Sequence, residues 1–465
     1  MTRVAVRLTL LAALLPLAAP GSAAAQITGR EPRIRLGQRV TILRDVTVID
    51  GTGGQEREHV SVLIVDDLIQ GVGRPEDLPL VESARVATLT GKYLLPGFVD
   101  AEARFRGPAD LAGMLAAGIV TIRNPRSATV DGVDYREAVG KKLPGPRIFT
   151  AGQPLDAAPG HGPDTRPVQD EKGVRTAVRE EAEAGADFIQ LSAGLPFPLV
   201  RAAIFAARTR HLPVAGDLVE TSWTEAARSG IDVLGRIVSL SPKLLPAEAR
   251  DTYRQDVVTG RAHPYYRWLE LVDPDGPEID EMIGALLSRD VMVIPTLAGI
   301  ESVLLCGDPT FEAEIAAYGV RAPEGAACLS ADRTPDHLGR ARAAWPVALS
   351  LTRQLEEAGV RLLAGSDAPI GRLPPGLSFH RELELLVRAG LSPLDVLSIA
   401  TRNGAVSVGD LHESGTIEPG KRADLILLDA DPLADIRNTR KIEWVMVEGK
   451  LFFPRKILQE RPDGP

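Results

Sequence analysis

The sequence predicts an α/β protein built as a (β/α)8 barrel of the TIM type, with a small β-sandwich assembled from both ends of the chain. Three observations lead there. In the middle of the chain short apolar runs alternate with helical stretches, the pattern of a parallel sheet with crossover helices. Eight of those runs read as strands, the number that closes such a barrel. The two ends, residues 40–88 and 415–453, read instead as short strands separated by turns. Neither end is large enough to close a core alone, so the two are expected to join.

Composition fits this architecture. A chain of 465 residues with 44% hydrophobic and 25% charged residues has the make-up of a soluble globular protein. Aromatics are only 4%, so the core must rest on Ala, Val, Leu and Ile, which suits a barrel interior. The strand candidates are residues 98–99, 119–122, 147–150, 188–191, 214–216, 233–234, 291–294 and 362–364. Helices before four of them end at Gly118, Gly185, Gly230 and Gly359, the usual helix stop ahead of a strand. The expected division is 1–25, a signal peptide; 26–95, the first part of the sandwich; 96–410, the barrel; and 411–465, the second part of the sandwich.

The start of the chain carries its own signal. Arg3 and Arg7 precede an apolar run from Leu8 to Ala19, and Ala23, Ala24 and Ala25 offer a small-residue cleavage site before Gln26. This is the organisation of a secretory signal peptide cleaved near Ala25. A membrane anchor is the alternative, but the run falls well short of the ~20 apolar residues a span needs. A secreted or periplasmic protein, free of the membrane after cleavage, is expected. Removing Arg3 and Arg7 takes the formal charge from −9 to −11. That acidity weighs against a nucleic-acid partner, whose binding rests on clustered Lys and Arg. Cys306 and Cys328 would meet an oxidising compartment, where a disulfide and two buried thiols both fit.

Two stretches read as insertions. Residues 252–276 hold Tyr253, Tyr265, Tyr266 and Trp268 with the prolines Pro264 and Pro274, and residues 298–345 hold both cysteines. Each is expected either as packed helices or as a lid over the barrel mouth.

The rest of the chain is organised around residues 91–105, GKYLLPGFVDAEARF. An apolar run and a Pro-Gly turn lead into Phe98, Val99 and Asp100, followed by Glu102 and Arg104. Side chains two apart on a strand share a face, and in a barrel that face is the interior, at the end where active sites are built. Here the chain resembles the amidohydrolase superfamily, in its imidazolonepropionase-like and prolidase-like branch. The runs PPGLSFHRELELLVRAGLSPLDVLSIATRNGA and GTIEPGKRADLILLDADPLADIRNT resemble the family's C-terminal segments, and the likeness extends from about residue 40 to 453.

The resemblance implies a centre of one or two divalent metals, zinc or another, held by six strand-end residues: two His, a carboxylated Lys or a Glu, two more His, and an Asp. Such a metal lowers the pKa of a bound water to about 7, and the water then attacks an amide or ester. By the same resemblance the first pair of positions holds Glu102 and Arg104. The fourth-strand Lys is Gln190, the fifth-strand His is Asp217 in PVAGD, and the sixth-strand His is Arg236 in GIDVLGR. The acid is kept as Asp367 in AGSDAP. His161, in a Gly-His-Gly loop, and His380, in SFHREL, match further positions and are candidates for a substrate loop or for simple packing.

A guanidinium has only donors and stays protonated, so Arg104 and Arg236 would repel a metal. Glu102, Asp217 and Asp367 would supply the negative charge that buried arginines require. The expectation is a metal-free Arg–carboxylate cluster, with no cofactor. A carboxylate site for a hard ion such as calcium is the alternative. Three functions follow: a secreted relative that binds a small molecule or peptide without hydrolysing it; an acid/base enzyme in which Asp367 or Glu102 works beside an arginine that stabilises an oxyanion; or a hydrolase of amide, ester or lactone bonds that recruits metal through His161 and His380. Homo- and hetero-oligomers are both open.

Overall fold

The computed structural model describes residues 26–27, 38–79, 81, 83–127, 129–141, 143–160, 164–319, 335–369 and 372–460. Residues 1–25, read from the sequence as a signal peptide, and His161 and Cys328 lie outside the described residues.

The N-terminal strands are β1 (Gln26–Ile27), β2 (Val40–Val48), β3 (Arg57–Val65), β4 (Leu68–Gly73), β5 (Arg85–Thr88) and β6 (Tyr93–Pro96). The barrel strands follow: β7 (Phe98–Asp100), β8 (Ile119–Asn124), β9 (Arg147–Thr150), β10 (Leu155–Ala157), β11 (Arg166–Val168), β12 (Ile189–Leu191), β13 (Val214–Gly216), β14 (Val233–Gly235) and β15 (Met292–Ile294). The chain then returns to the first sheet as β16 (Leu425–Leu428), β17 (Ile442–Val447) and β18 (Lys450–Phe452).

Both ends do join, in one hydrogen-bonded sheet ordered β1-β4-β3-β2-β6-β16-β17-β18, with β5 also on β2. Continuity comes from β2. Its register shifts between Leu43 and Val46, with Asp45 at φ 60°, so the first half pairs with β5 and the second with β6. A bulge re-aims a strand in this way. Val46, Val48, Val62, Leu94, Leu425 and Leu427 form a core of its own beneath this sheet.

Pro96 and Gly97 carry β6 into β7. A Cβ at Gly97 would lie 2.4 Å from both methyl carbons of Val120, so only glycine fits the join. The barrel strands run parallel in two groups, β7-β8-β9 and β11-β10-β12-β13-β14-β15. Backbone hydrogen bonds link the groups at both seams. On one side the Asp187 N–H donates to Thr150 O at 2.8 Å. On the other, residues 361–368 bridge β15 and β7: Leu363 N–H donates to Val293 O and Ala101 N–H to Ala364 O, each at 2.8 Å.

The expected strand at 362–364 is therefore present only as isolated bridges, Leu362 with Val293 and Ala368 with Ala103. Gly365 and the left-handed backbone of Asp367 (φ 51°) interrupt a regular ladder there. β10 and β11 were not foreseen in the sequence; they add a side pair next to β12. The four glycines expected to stop helices all have positive φ, from 82° to 94°.

The barrel interior is filled by small and branched side chains, among them Ala101, Ala151, Ala215, Val233 and Leu363, with Phe188 the one aromatic. The guanidinium of Arg123 lies over the Phe188 ring at 4.2 Å and donates to Ala101 O at 3.4 Å. The described parts of both insertions are packed helices. The first (Arg250–Val258 and Pro264–Leu271) buries Tyr253, Tyr266 and Trp268, and the Trp268 indole donates to Ser241 O at 2.9 Å. The second contributes Leu297–Leu305, Pro309–Ala316 and Pro335–Glu357. Among the described residues no helix is long and apolar enough to cross a membrane.

Candidate functional site

Parallel strands deliver their C-terminal ends to one mouth of a barrel. The residues just beyond β7, β13 and β14 converge there with residues 361–368. Arg236 follows β14 in left-handed backbone (φ 65°), fixed by its N–H on Ile294 O at 2.9 Å. From that position its guanidinium reaches three groups. Nη2 stands 3.1 Å from Asp367 Oδ2, Nε stands 3.2 Å from Asp217 Oδ2, and Nη1 donates to the Tyr265 hydroxyl at 3.1 Å. Asp217 follows β13, its N–H on Leu191 O at 3.0 Å. Arg104 donates from Nη2 to the other Asp367 oxygen at 3.4 Å.

The two arginines thus clasp Asp367 from both sides, and Arg236 bridges it to Asp217. The nearby carboxylates raise the pKa of Arg236 well above its ordinary value, Asp217 first and Asp367 second. Burial pushes the Asp217 carboxyl up, and the attraction of Arg236 opposes it.

Glu102 departs from expectation. It lies beside the cluster, and its backbone carbonyl accepts the Asp367 N–H at 2.8 Å. Its carboxyl, however, forms no ion pair with either arginine among the described residues. Burial, then repulsion from Asp367, pushes its pKa to about 8. Of the acids at the site, Glu102 is the one that burial and a neighbouring carboxylate drive toward the neutral form. Below it, Asp100 is fully buried and accepts from Ser366 N at 2.9 Å, Ser366 Oγ at 2.6 Å and Glu102 N at 3.2 Å. Burial lifts Asp100 to about 7 despite those bonds. Asp100 ties residues 361–368 to the first barrel strand.

Gln190 lies on β12, 8% exposed, its amide donating to Leu191 O at 3.4 Å. His380 is not at the mouth cluster. It is 1% exposed on the helix Leu377–Arg388, with Nε2 on Ala117 O at 3.1 Å and Nδ1 on the Thr439 hydroxyl at 2.9 Å. Ala117 O only accepts, so Nε2 carries the proton. Burial lowers its pKa to about 3 and keeps the ring neutral.

These side chains do not fit a divalent metal. Arg236 stands between the carboxylates of Asp217 and Asp367, and a guanidinium has no lone pair to give. Among the described residues no three His, Cys, Asp or Glu side chains are grouped to hold a metal ion.

Three contributors were not singled out as site residues. Tyr265 was noted only as part of an aromatic insertion; the helix Pro264–Leu271 carries its hydroxyl to Arg236. Arg123 lies on β8, and Arg126 follows it in a plain Asn-Pro-Arg run that shows no pattern by itself.

Comparison with known proteins gives a consistent picture. The sequence profile of the Amidohydrolase family matches residues 347–452. Imidazolonepropionase of Brevibacillus brevis is 24% identical over 397 residues, covering 80% of this chain and 84% of that protein. Imidazolonepropionase of Shouchella clausii is 32% identical over 116 residues; that match spans 24% of this chain and only 26% of the relative. Among solved structures, a Xaa-Pro dipeptidase with methionine bound in its active site superposes with a TM-score of 0.66 at 19% identity. It covers 89% of this chain and all of that one, a likeness of fold.

Proposed function

The chain belongs to the amidohydrolase superfamily, and from that premise we propose that it is a secreted member in which a guanidinium–carboxylate cluster has replaced the metal centre, leaving a barrel that binds a small molecule or peptide without hydrolysing it. One observation carries the reading: the Arg236 guanidinium lies within 3.2 Å of both Asp217 and Asp367. A fixed cation between the two acids occupies the electrostatic role of a metal and offers no coordination site for water, which the hydrolysis of the superfamily requires. Secretion is supported by the Arg3 to Ala25 pattern of a basic start, an apolar run and a small-residue cleavage site.

A second reading has its own support. Glu102, whose carboxyl burial drives toward the neutral form, and Asp367, beside two arginines, stand together in one site. That pairing suits acid/base chemistry on a substrate whose developing oxyanion an arginine stabilises.

The test is a panel of amide, ester and lactone substrates, including Xaa-Pro dipeptides, assayed with the purified full chain before and after dialysis against zinc. The binding reading expects no turnover above background in either sample. Turnover that Asp367→Asn abolishes would overturn it, and a pH–rate profile with a limb near pH 8, lost in Glu102→Gln, would favour the second reading.

A further inference from the structure

The sheet built from both ends of the chain does not close on itself. β5 pairs only with β2 and β18 only with β17, so among the described residues each keeps one open edge. Between them lies a groove of about 360 Å³, lined from β2, β5, β17, β18 and their turns and by none of the barrel-mouth residues. Its apolar lining runs from the buried Trp444 and Met446 to Val86 and Leu451, each 48% exposed. Arg39, Arg85 and Lys450 also line it, and no acid does. Asp66 stands behind Arg39, but its carboxylate is engaged by the Arg39 N–H and the Gln38 amide, each at 2.9 Å. Glu448, in the β17–β18 turn, pairs with Arg147 at 3.2 Å. Arg85 and Lys450 form no ion pair among the described residues.

An open strand edge presents backbone N–H and C=O groups that another extended chain can pair with. Cations on such an edge discourage a partner of their own sign, so here they select the occupant by charge. Two copies of this chain meeting edge to edge would set Arg85 and Lys450 against their own counterparts. Residues 28–37 carry Arg30, Arg33 and Arg35 against Glu31 alone, and match as poorly. An acidic chain matches. Arg85 precedes Val86 on β5 and Lys450 precedes Leu451 on β18, so cation and apolar side chain alternate along both edges. We propose that the groove between β5 and β18 is a docking site for an extended segment of a partner protein in which acidic and apolar residues alternate. The segment adds a strand along the open edge, packs its apolar side chains on Val86, Trp444 and Leu451, and turns its carboxylates to Arg39, Arg85 and Lys450. This surface is independent of the barrel mouth and of the metal-free reading.

The probe is a fluorescein-labelled peptide of alternating glutamate and valine, seven residues long at about the length of a strand, read by polarisation against the full chain. Its counterpart carries lysine at every glutamate. The acidic peptide is expected to bind at least about tenfold tighter than the basic one, and added salt to weaken it. Arg85→Glu combined with Lys450→Glu is expected to erase that preference, and Leu451→Ser to weaken binding of the acidic peptide. The surface variant Arg175→Gln is expected to change neither. Unfolding midpoints establish that each variant is folded. Two analogues of the acidic peptide, N-methylated at the valines or at the glutamates, test the backbone pairing, and at least one is expected to lose binding. Equal affinity for the acidic and basic peptides, no saturable binding of the acidic one at about 1 mM, a preference that survives the double charge reversal, or full binding of both methylated analogues would each overturn the docking site. So would a concentration-dependent dimer that Leu451→Ser dissolves, which would give the groove to a second copy. Binding that appears only once Arg30, Arg33 and Arg35 are replaced by serine would overturn it too, and give the groove to residues 28–37.

Discussion

Arg236 and Asp367 meet across the barrel mouth at 3.1 Å, and both are held in left-handed backbone, at φ 65° and 51°. Residues with a Cβ adopt that conformation at a cost of about 1–3 kcal/mol each, so the surrounding fold must impose it. The hydrogen bonds of Arg236 N–H to Ile294 O and of Asp367 N–H to Glu102 O do so. The ion pair is therefore aimed by the barrel's own backbone.

Breaking that pair leaves Asp217 without its ion-pair partner and Asp367 with Arg104 alone. Arg236→Met is expected to destabilise the protein by about 2–3 kcal/mol, below the 3–5 typical of a fully buried pair because a quarter of the side chain meets solvent. Urea unfolding measures it. Adding Asp217→Leu to Arg236→Met is expected to recover more than half of the loss, since it removes an acid left unpaired.

Glu102 makes stability depend on pH. Its carboxyl releases its proton near 4.5 in the unfolded chain and holds it to about 8 in the fold. Between those values the folded state binds more protons, so stability falls as pH rises. Asp100, lifted to about 7, acts in the same direction. Urea midpoints taken from pH 5 to pH 8.5 are expected to decline, and Glu102→Gln to make the decline shallower. A slope unchanged in that variant would mean that Glu102 is ionised throughout.

Gly365 tests the seam of the barrel. A Cβ there would lie 2.4 Å from Ile294 Cγ2 and 3.0 Å from Glu102 Cβ. Gly365→Ala is expected to cost about 1–3 kcal/mol by overpacking, and the melting temperature reads it directly.

A second ion network serves as a contrast. Arg381 is 3% exposed and donates to both oxygens of Glu301, at 2.7 and 2.8 Å, joining the helix Leu377–Arg388 to Leu297–Leu305. Arg381→Met is expected to cost about 3–5 kcal/mol. Arg175→Ala, which removes an exposed helix-surface pair with Glu171, is expected to cost under about 0.5 kcal/mol.

How far the sequence was legible depends on whether a feature is local. Gly118, Gly185, Gly230 and Gly359 announce helix ends because a left-handed stop is a property of the residue itself, and seven of the expected strands carry their own apolar signal. The eighth, at 362–364, is reduced to bridges by Gly365 and Asp367, which only the packing against Ile294 and Glu102 reveals. The contacts of Arg104 and Arg236 with Asp217 and Asp367 follow from strand-end positions and charge pairing. The protonation of Glu102 does not, since it comes from burial and from the nearness of Asp367. Tyr265 and Arg126 stand far from the cluster in sequence, or in a run without pattern, and chain folding alone brings them in.

The most direct measurement is zinc bound per chain after equilibrium dialysis of the purified full-length product, in wild type and in Asp367→Asn. The account predicts well below one equivalent in both, because Arg236 lies between the acids. One or two equivalents in the wild type, lost in the variant, would contradict it and restore a working metal centre.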